Sequence, residues 1–111
     1  MAITHIVLFA WKETTTKAQV DEICRALIAL SEKCVRPTSK EPYVKGLKGG
    51  KNALPELFSV RALYSRLCME FDNQEDLDYY TNEDPAHRAF SKFVQEFVAD
   101  FKGADFQPGV F

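Results

Sequence analysis

The sequence predicts an α+β domain of the ferredoxin-like kind, β-α-β-β-α-β with a four-stranded antiparallel sheet, and three observations carry that reading. Stretches rich in β-branched and aromatic residues alternate with stretches of helical periodicity. Their order is strand, helix, strand, strand, helix, strand, which is the split βαβ arrangement. No repeat, linker or low-complexity tract interrupts the 111 residues, a length that buries one core, so residues 1–111 are read as a single domain.

The first strand is "THIVLFAWK". Val7, Phe9 and Trp11 alternate with Ile6, Leu8 and Ala10, so both faces are apolar and both need covering. A long amphipathic helix follows. Thr16 and Gln19 stand at capping-box spacing, Val20, Ile23, Leu27 and Leu30 recur at helical intervals, and the helix ends before Pro37.

"PYVKGLKGGKN" shows short alternation and then Gly49-Gly50, which predicts a second strand closing in a turn that needs positive φ. The glycines and Lys51 superficially resemble a phosphate loop. The spacing differs, Asn52 stands where Ser or Thr would hold magnesium, and no strand-then-helix context surrounds them, so that reading is excluded.

Residues 62–71, "ALYSRLCMEF", predict a third strand with Leu63, Leu67, Met69 and Phe71 on one face and Tyr64, Cys68 and Glu70 on the other; Ser65 falls among the apolar set. "NQEDLDYYT" reads as a short helix. After Asp84-Pro85 a longer one carries Phe90, Phe93, Val94, Phe97, Val98 and Phe101, and Gly103 stops it. "ADFQPGVF" is then a final edge strand, where Pro108 is tolerated. Two helical units over one face leave the other face of the sheet bare. Its simplest cover is a second copy about a two-fold axis.

Composition narrows the partners. A net charge of -2 with no Lys/Arg block longer than a pair excludes nucleic acid and anionic membrane surfaces, and no apolar run is long enough to span a bilayer. The N-terminus lacks the basic region and cleavage site of a secretory signal. Cys24, Cys34 and Cys68 are odd in number and sit in apolar segments without a C-x-x-C pair, so they read as buried thiols of a soluble cytoplasmic protein. The two histidines lie far apart, and neither a metal nor a cofactor is expected.

Those histidines are the candidates for chemistry. Asp84 suits the N-cap and Pro85 the first position of a helix, which puts His87 in its first turn with its N–H facing the Asp84 carboxylate. The positive helix end disfavours imidazolium while Glu83 and Asp84 favour it, so a mostly neutral ring is expected, fit either to act as a general base or to hold the turn. His5 shares a face with Val7, Phe9 and Trp11, where a histidine is usually a satisfied core residue. With strands one and three both central, His5 and Ser65 would form a nucleophilic pair, although no acid completes it. Tyr79 and Tyr80 read as packing residues with hydroxyls at the rim.

Several stretches together resemble one family. "HIVLF", "KGLKGGKN", "MEF", "EDLDYYTNEDPAHRAF" and "ADFQPG" are similar, over nearly the whole chain, to the stress-responsive A/B barrel (Dabb) domain. The resemblance implies a ferredoxin-like subunit that forms a homodimeric α/β barrel between two sheets. The family includes plant stress and defence proteins and olivetolic acid cyclase, which closes a linear polyketide by aldol condensation. In that cyclase a first-strand histidine, the histidine of the "PAH" motif and a tyrosine upstream assist catalysis. By motif these fall on His5, on His87 and, with one extra residue between tyrosine and histidine, on Tyr80. The Thr-His pair that many members carry in the third strand reads Tyr64-Ser65 here.

Two functions follow as expectations. One is a homodimeric stress-response protein that binds a small apolar or aromatic molecule or serves as an interaction module. The other is a polyketide cyclase-like enzyme or related lyase acting on a β-oxo acid, with His87 or His5 as general base and Tyr80 orienting the substrate.

Overall fold

Four strands and three helices follow one another as β1 (Ile3–Trp11), α1 (Lys17–Lys33), β2 (Lys45–Lys51), β3 (Tyr64–Phe71), α2 (Gln74–Asn82), α3 (Pro85–Val94) and β4 (Val98–Phe106). This computed structural model describes residues 2–51 and 64–111. The sheet order is β2-β3-β1-β4 and every neighbouring pair is antiparallel, so the expected ferredoxin-like topology is present, with the second helical unit split into α2 and α3.

The capping signals act as read. Thr16 accepts from the Gln19 N–H while the Gln19 side chain accepts from the Thr16 N–H, which starts α1. Ile23, Leu27 and Leu30 of α1 then meet Phe9, Trp11, Leu67, Met69 and Phe71 of the sheet, together with Leu77 and Tyr80 of α2 and Phe90 and Val94 of α3. Each such side chain contributes roughly 1.5–3 kcal/mol by leaving water. Within this core the Trp11 indole N–H donates to the Ser65 hydroxyl at 2.9 Å, so neither polar group is left unpaired. Alternation places Ile6 and Leu8, with Cys68 and Ala104 beside Ile6, on the opposite face, which no helix among the described residues covers.

Two expectations change. The positive φ falls on Gly46, at +58°, where β2 bulges between Lys45 and Lys48; Gly49 and Gly50 lie inside the strand. Gly49 is needed for a different reason: a Cβ there would lie 2.9 Å from the Arg66 carbonyl oxygen of β3. The turn expected after them, like Leu63 of the third strand, lies outside the described residues. The last helix also ends earlier. The Phe97 carbonyl accepts from the Lys12 N–H at 3.0 Å and the Thr15 hydroxyl at 2.8 Å, which turns the chain out of α3. Val98 and Phe101 therefore belong to β4, Gly103 stands mid-strand opposite Val7, and Pro108 follows the strand's end. Pairing along the length of β1 overrides the local helical period.

The glycine pair gives a direct contrast. Gly49→Ala is expected to lower unfolding stability by about 1–3 kcal/mol because β3 backbone blocks the new methyl. Gly50→Ala, with nothing within 4 Å of its Cβ, should leave the urea midpoint almost unmoved. Equal midpoints for the two variants would contradict this register.

Candidate functional site

The site is built at the corner between α2 and α3. Asp84 is only 1% exposed, and its carboxylate accepts from the N–H groups of Ala86 at 2.9 Å and His87 at 3.4 Å. Its other oxygen accepts from the Tyr43 hydroxyl at 2.5 Å. Asp84 is thus the N-cap of α3, as expected, and also its anchor to the segment before β2. Cys34, at the end of α1, is fully buried beside it. Burial first, then the Asp84 charge, pushes the Cys34 thiol up to about 12, which keeps it protonated and unreactive.

The corner aims two rings at each other. Tyr80 of α2 stacks on His87 of α3 with centroids 3.9 Å apart and planes 24° apart. Tyr80 is 3% exposed, so it packs in the core as read, but its hydroxyl is enclosed instead of lying at the rim, and burial raises its phenol above the ordinary range. The Ser91 hydroxyl, one turn along α3, lies 3.4 Å from His87 Nε2. His87 Nδ1 is buried and has no hydrogen-bond partner among the described residues.

His5 reaches the same cluster from β1. Its ring stands edge-on to Tyr80 at 6.0 Å and to Phe71 at 6.2 Å. Its Nδ1–H donates to the carboxylate of Asp105, the residue directly across on β4. In the neutral ring, donation from Nδ1 places the lone pair on Nε2. The structure therefore brings His5, Tyr80 and His87 together. It separates His5 from Ser65: His5 pairs with Met69, four residues along β3, and Ser65 instead accepts from Trp11. The expected His5–Ser65 pair is therefore not formed.

Asp105, Ser91 and Tyr43 were not singled out from sequence. The available signal was strand pairing: once "VADFKGADF" is aligned antiparallel to β1, Asp105 falls opposite His5. Beside this pair, Ile3, Asn73, Gln74, Asp105, Phe106 and Gln107 line an open hollow of about 360 Å³. Among the described residues no His/Cys/Asp/Glu group is arranged to hold a metal ion.

Burial sets the proton affinity of His87. Desolvation lowers its pKa below the ordinary histidine value, more strongly than the nearby Tyr80 backbone carbonyl and then the Asp84 charge raise it. The unfolded chain then binds more protons than the folded one below about pH 6.5, so this contribution to stability is full above that pH and is lost as pH falls through the folded value. Two-dimensional NMR should show His87 titrating below an unfolded-chain histidine. Replacement by His87→Gln should flatten the loss of stability in mild acid; an unchanged slope would assign it elsewhere.

Comparisons with known proteins agree with this architecture. A dimeric ferredoxin-like protein of unknown function from Thermobifida fusca is 26% identical, with a TM-score of 0.71 over 96% of this chain and 90% of that one. Hydroxynitrile lyase from Passiflora edulis is 17% identical, with a TM-score of 0.80 over 99% of this chain and 96% of that one. An Arabidopsis thaliana protein, At3g17210, is 16% identical, with a TM-score of 0.77 over 98% and 97%. No curated protein matches the sequence. No helix among the described residues is long and apolar enough to cross a membrane. The family model for the stress responsive A/B barrel domain matches residues 3–108, and the chain belongs to that family.

Proposed function

We propose that the protein is a homodimer that binds a small molecule with an apolar body and a polar group, seated beside His5, Tyr80 and His87. The observation that carries this reading is the convergence of two histidines, one oriented by a carboxylate and one with a buried unpartnered nitrogen, on one tyrosine ring. Unpaired polar atoms inside an apolar surround are what a bound molecule satisfies. The dimer rests on the uncovered face around Ile6 and Leu8 and on the dimeric state of the Thermobifida fusca relative.

A second reading is favoured by the Asp105–His5 pair. Breaking or making a carbon–carbon bond next to a carbonyl requires a base for one proton and a donor for the developing oxyanion. The Asp105 carboxylate fixes the His5 tautomer, leaves Nε2 free to take the proton and stabilises the resulting imidazolium. His87 Nδ1 and the Tyr80 phenol offer groups for the oxygen. Lyase or cyclase chemistry on a carbonyl compound fits that set, and the hydroxynitrile lyase among the structural relatives supports it.

Two measurements test these readings. Sedimentation at micromolar concentration should give twice the 12.6 kDa chain mass, and Ile6→Asp should reduce it to one chain while keeping the helical circular dichroism. A stable wild-type monomer would remove the dimer. In turnover assays with β-oxo acyl and α-hydroxynitrile substrates, His5→Ala should cost about a hundredfold or more, with Asp105→Asn intermediate. Native mass spectrometry showing a retained small molecule, with no turnover by the wild type, would leave binding as the function.

A further inference from the structure

The hollow beside the Asp105–His5 pair has a charge character that selects its occupant. Its lining comprises one carboxylate, Asp105, three neutral carboxamides, Asn73, Gln74 and Gln107, and two apolar side chains, Ile3 and Phe106. No cation is among them. Two cationic side chains close to Asp72 are committed to carboxylates: Lys45 pairs with Asp72 at 2.7 Å, and Arg36 pairs with Asp76 at 2.8 Å and Asp72 at 3.6 Å. Lys102 of β4 stands opposite Leu8, on the face of the sheet away from His5 and Asp105. The start of α2 would itself attract an anion, but Glu75 and Asp76 already occupy its first turn.

The carboxamides, by contrast, keep free hydrogen-bonding atoms. Asn73 uses its side-chain oxygen to accept from the Asp76 N–H, and its amide hydrogens have no partner among the described residues. Gln74 donates to Asp78 and keeps its carbonyl. Neutral donors and acceptors on an apolar floor suit an uncharged carbonyl or amide group. An anionic group there would face the Asp105 carboxylate, and none of the described lining side chains is a cation that would offset the repulsion.

We propose that this hollow takes an uncharged, carbonyl-bearing ligand and rejects carboxylates, with Asp105 as the specificity-determining residue. The inference rests on the small-molecule reading above, and it narrows the lyase or cyclase substrates to neutral carbonyl compounds instead of free acids. Asp105 then has two effects from one position: it holds His5 by hydrogen bonding and excludes acids by charge.

Benzamide and benzoate, nearly isosteric and differing in charge, are the probes. In ligand-observed NMR titrations of the full chain near neutral pH, benzamide should bind at least about tenfold tighter than benzoate, a difference of ~1.4 kcal/mol. Asp105→Asn should bring the ratio to about threefold or less, chiefly by strengthening benzoate. Side-chain amide signals of Asn73 and Gln107 should shift with benzamide. Benzoate binding as well as benzamide to the wild type, or a preference unchanged in Asp105→Asn, would overturn the charge selection while leaving small-molecule binding intact. If Asp105→Asn is unfolded, Gln107→Lys supplies the same reading by adding a cation, and it should raise benzoate affinity; no rise would count against the proposal. Failure of both probes to bind the wild type would remove the small-molecule reading and this inference with it.

Discussion

One buried carboxylate holds the site in shape. Asp84 is almost fully enclosed, and a buried charge is costly unless hydrogen bonds replace its water. Its compensation comes from three donors drawn from two segments: the Tyr43 hydroxyl before β2 and the first free N–H groups of α3. The positive end of α3 adds to this. Removing the carboxylate would orphan a buried phenol and uncap a helix together. Because His87 sits in the turn that Asp84 caps, and Tyr80 in the helix that ends just before it, the stacking of those two rings follows from where Asp84 is held. The Tyr43 phenol, raised by burial and then by its bond to Asp84, stays protonated and so remains a donor near neutral pH.

The second constraint is the register between β1 and β4. It places Asp105 opposite His5 and Gly103 opposite Val7. A Cβ at Gly103 would come within 4.0 Å of His5 Cε1, so the glycine leaves the space beside the imidazole open. The helices cover β1, β3 and β2 and leave most of β4 exposed. One consequence is that Asp105 is 46% exposed while its partner His5 is 15% exposed, so the pair straddles the boundary between core and solvent. The histidine lies inside and its carboxylate faces the solvent on the β4 side.

Much of this was legible in the residues, because the signals were local. The Thr16–Gln19 capping box, the Asp84-Pro85 helix start and the alternation of Leu67, Met69 and Phe71 each depend on spacing within a few positions. The convergence of His5, Tyr80 and His87 came from family motifs and not from periodicity. What could not be read was non-local. The end of α3 is decided by Lys12 and Thr15 reaching across to the Phe97 carbonyl, more than eighty residues away in sequence. The helical stripe from Phe90 continues on paper through Phe101 because Phe97, Val98 and Phe101 keep helical spacing although the last two lie in β4. Asp105 was invisible as a partner until that strand was in register, and Ser65 gained its true partner, Trp11, in the same way.

The two histidines therefore stand in different electrostatic positions, although the family motif names them together. His87 is stacked under Tyr80, pushed toward its neutral form by burial, and touches the Asp84 carboxylate only through its backbone N–H. A proton taken there would add charge to an apolar surround. His5 has a carboxylate directly on its Nδ1, so a proton arriving at Nε2 yields an ion pair instead of an isolated charge. The surroundings thus suit an ion pair at His5 and a neutral ring at His87, which is what the roles proposed for them require. The side chain that makes the difference, Asp105, lies outside the motif that singles out the histidines.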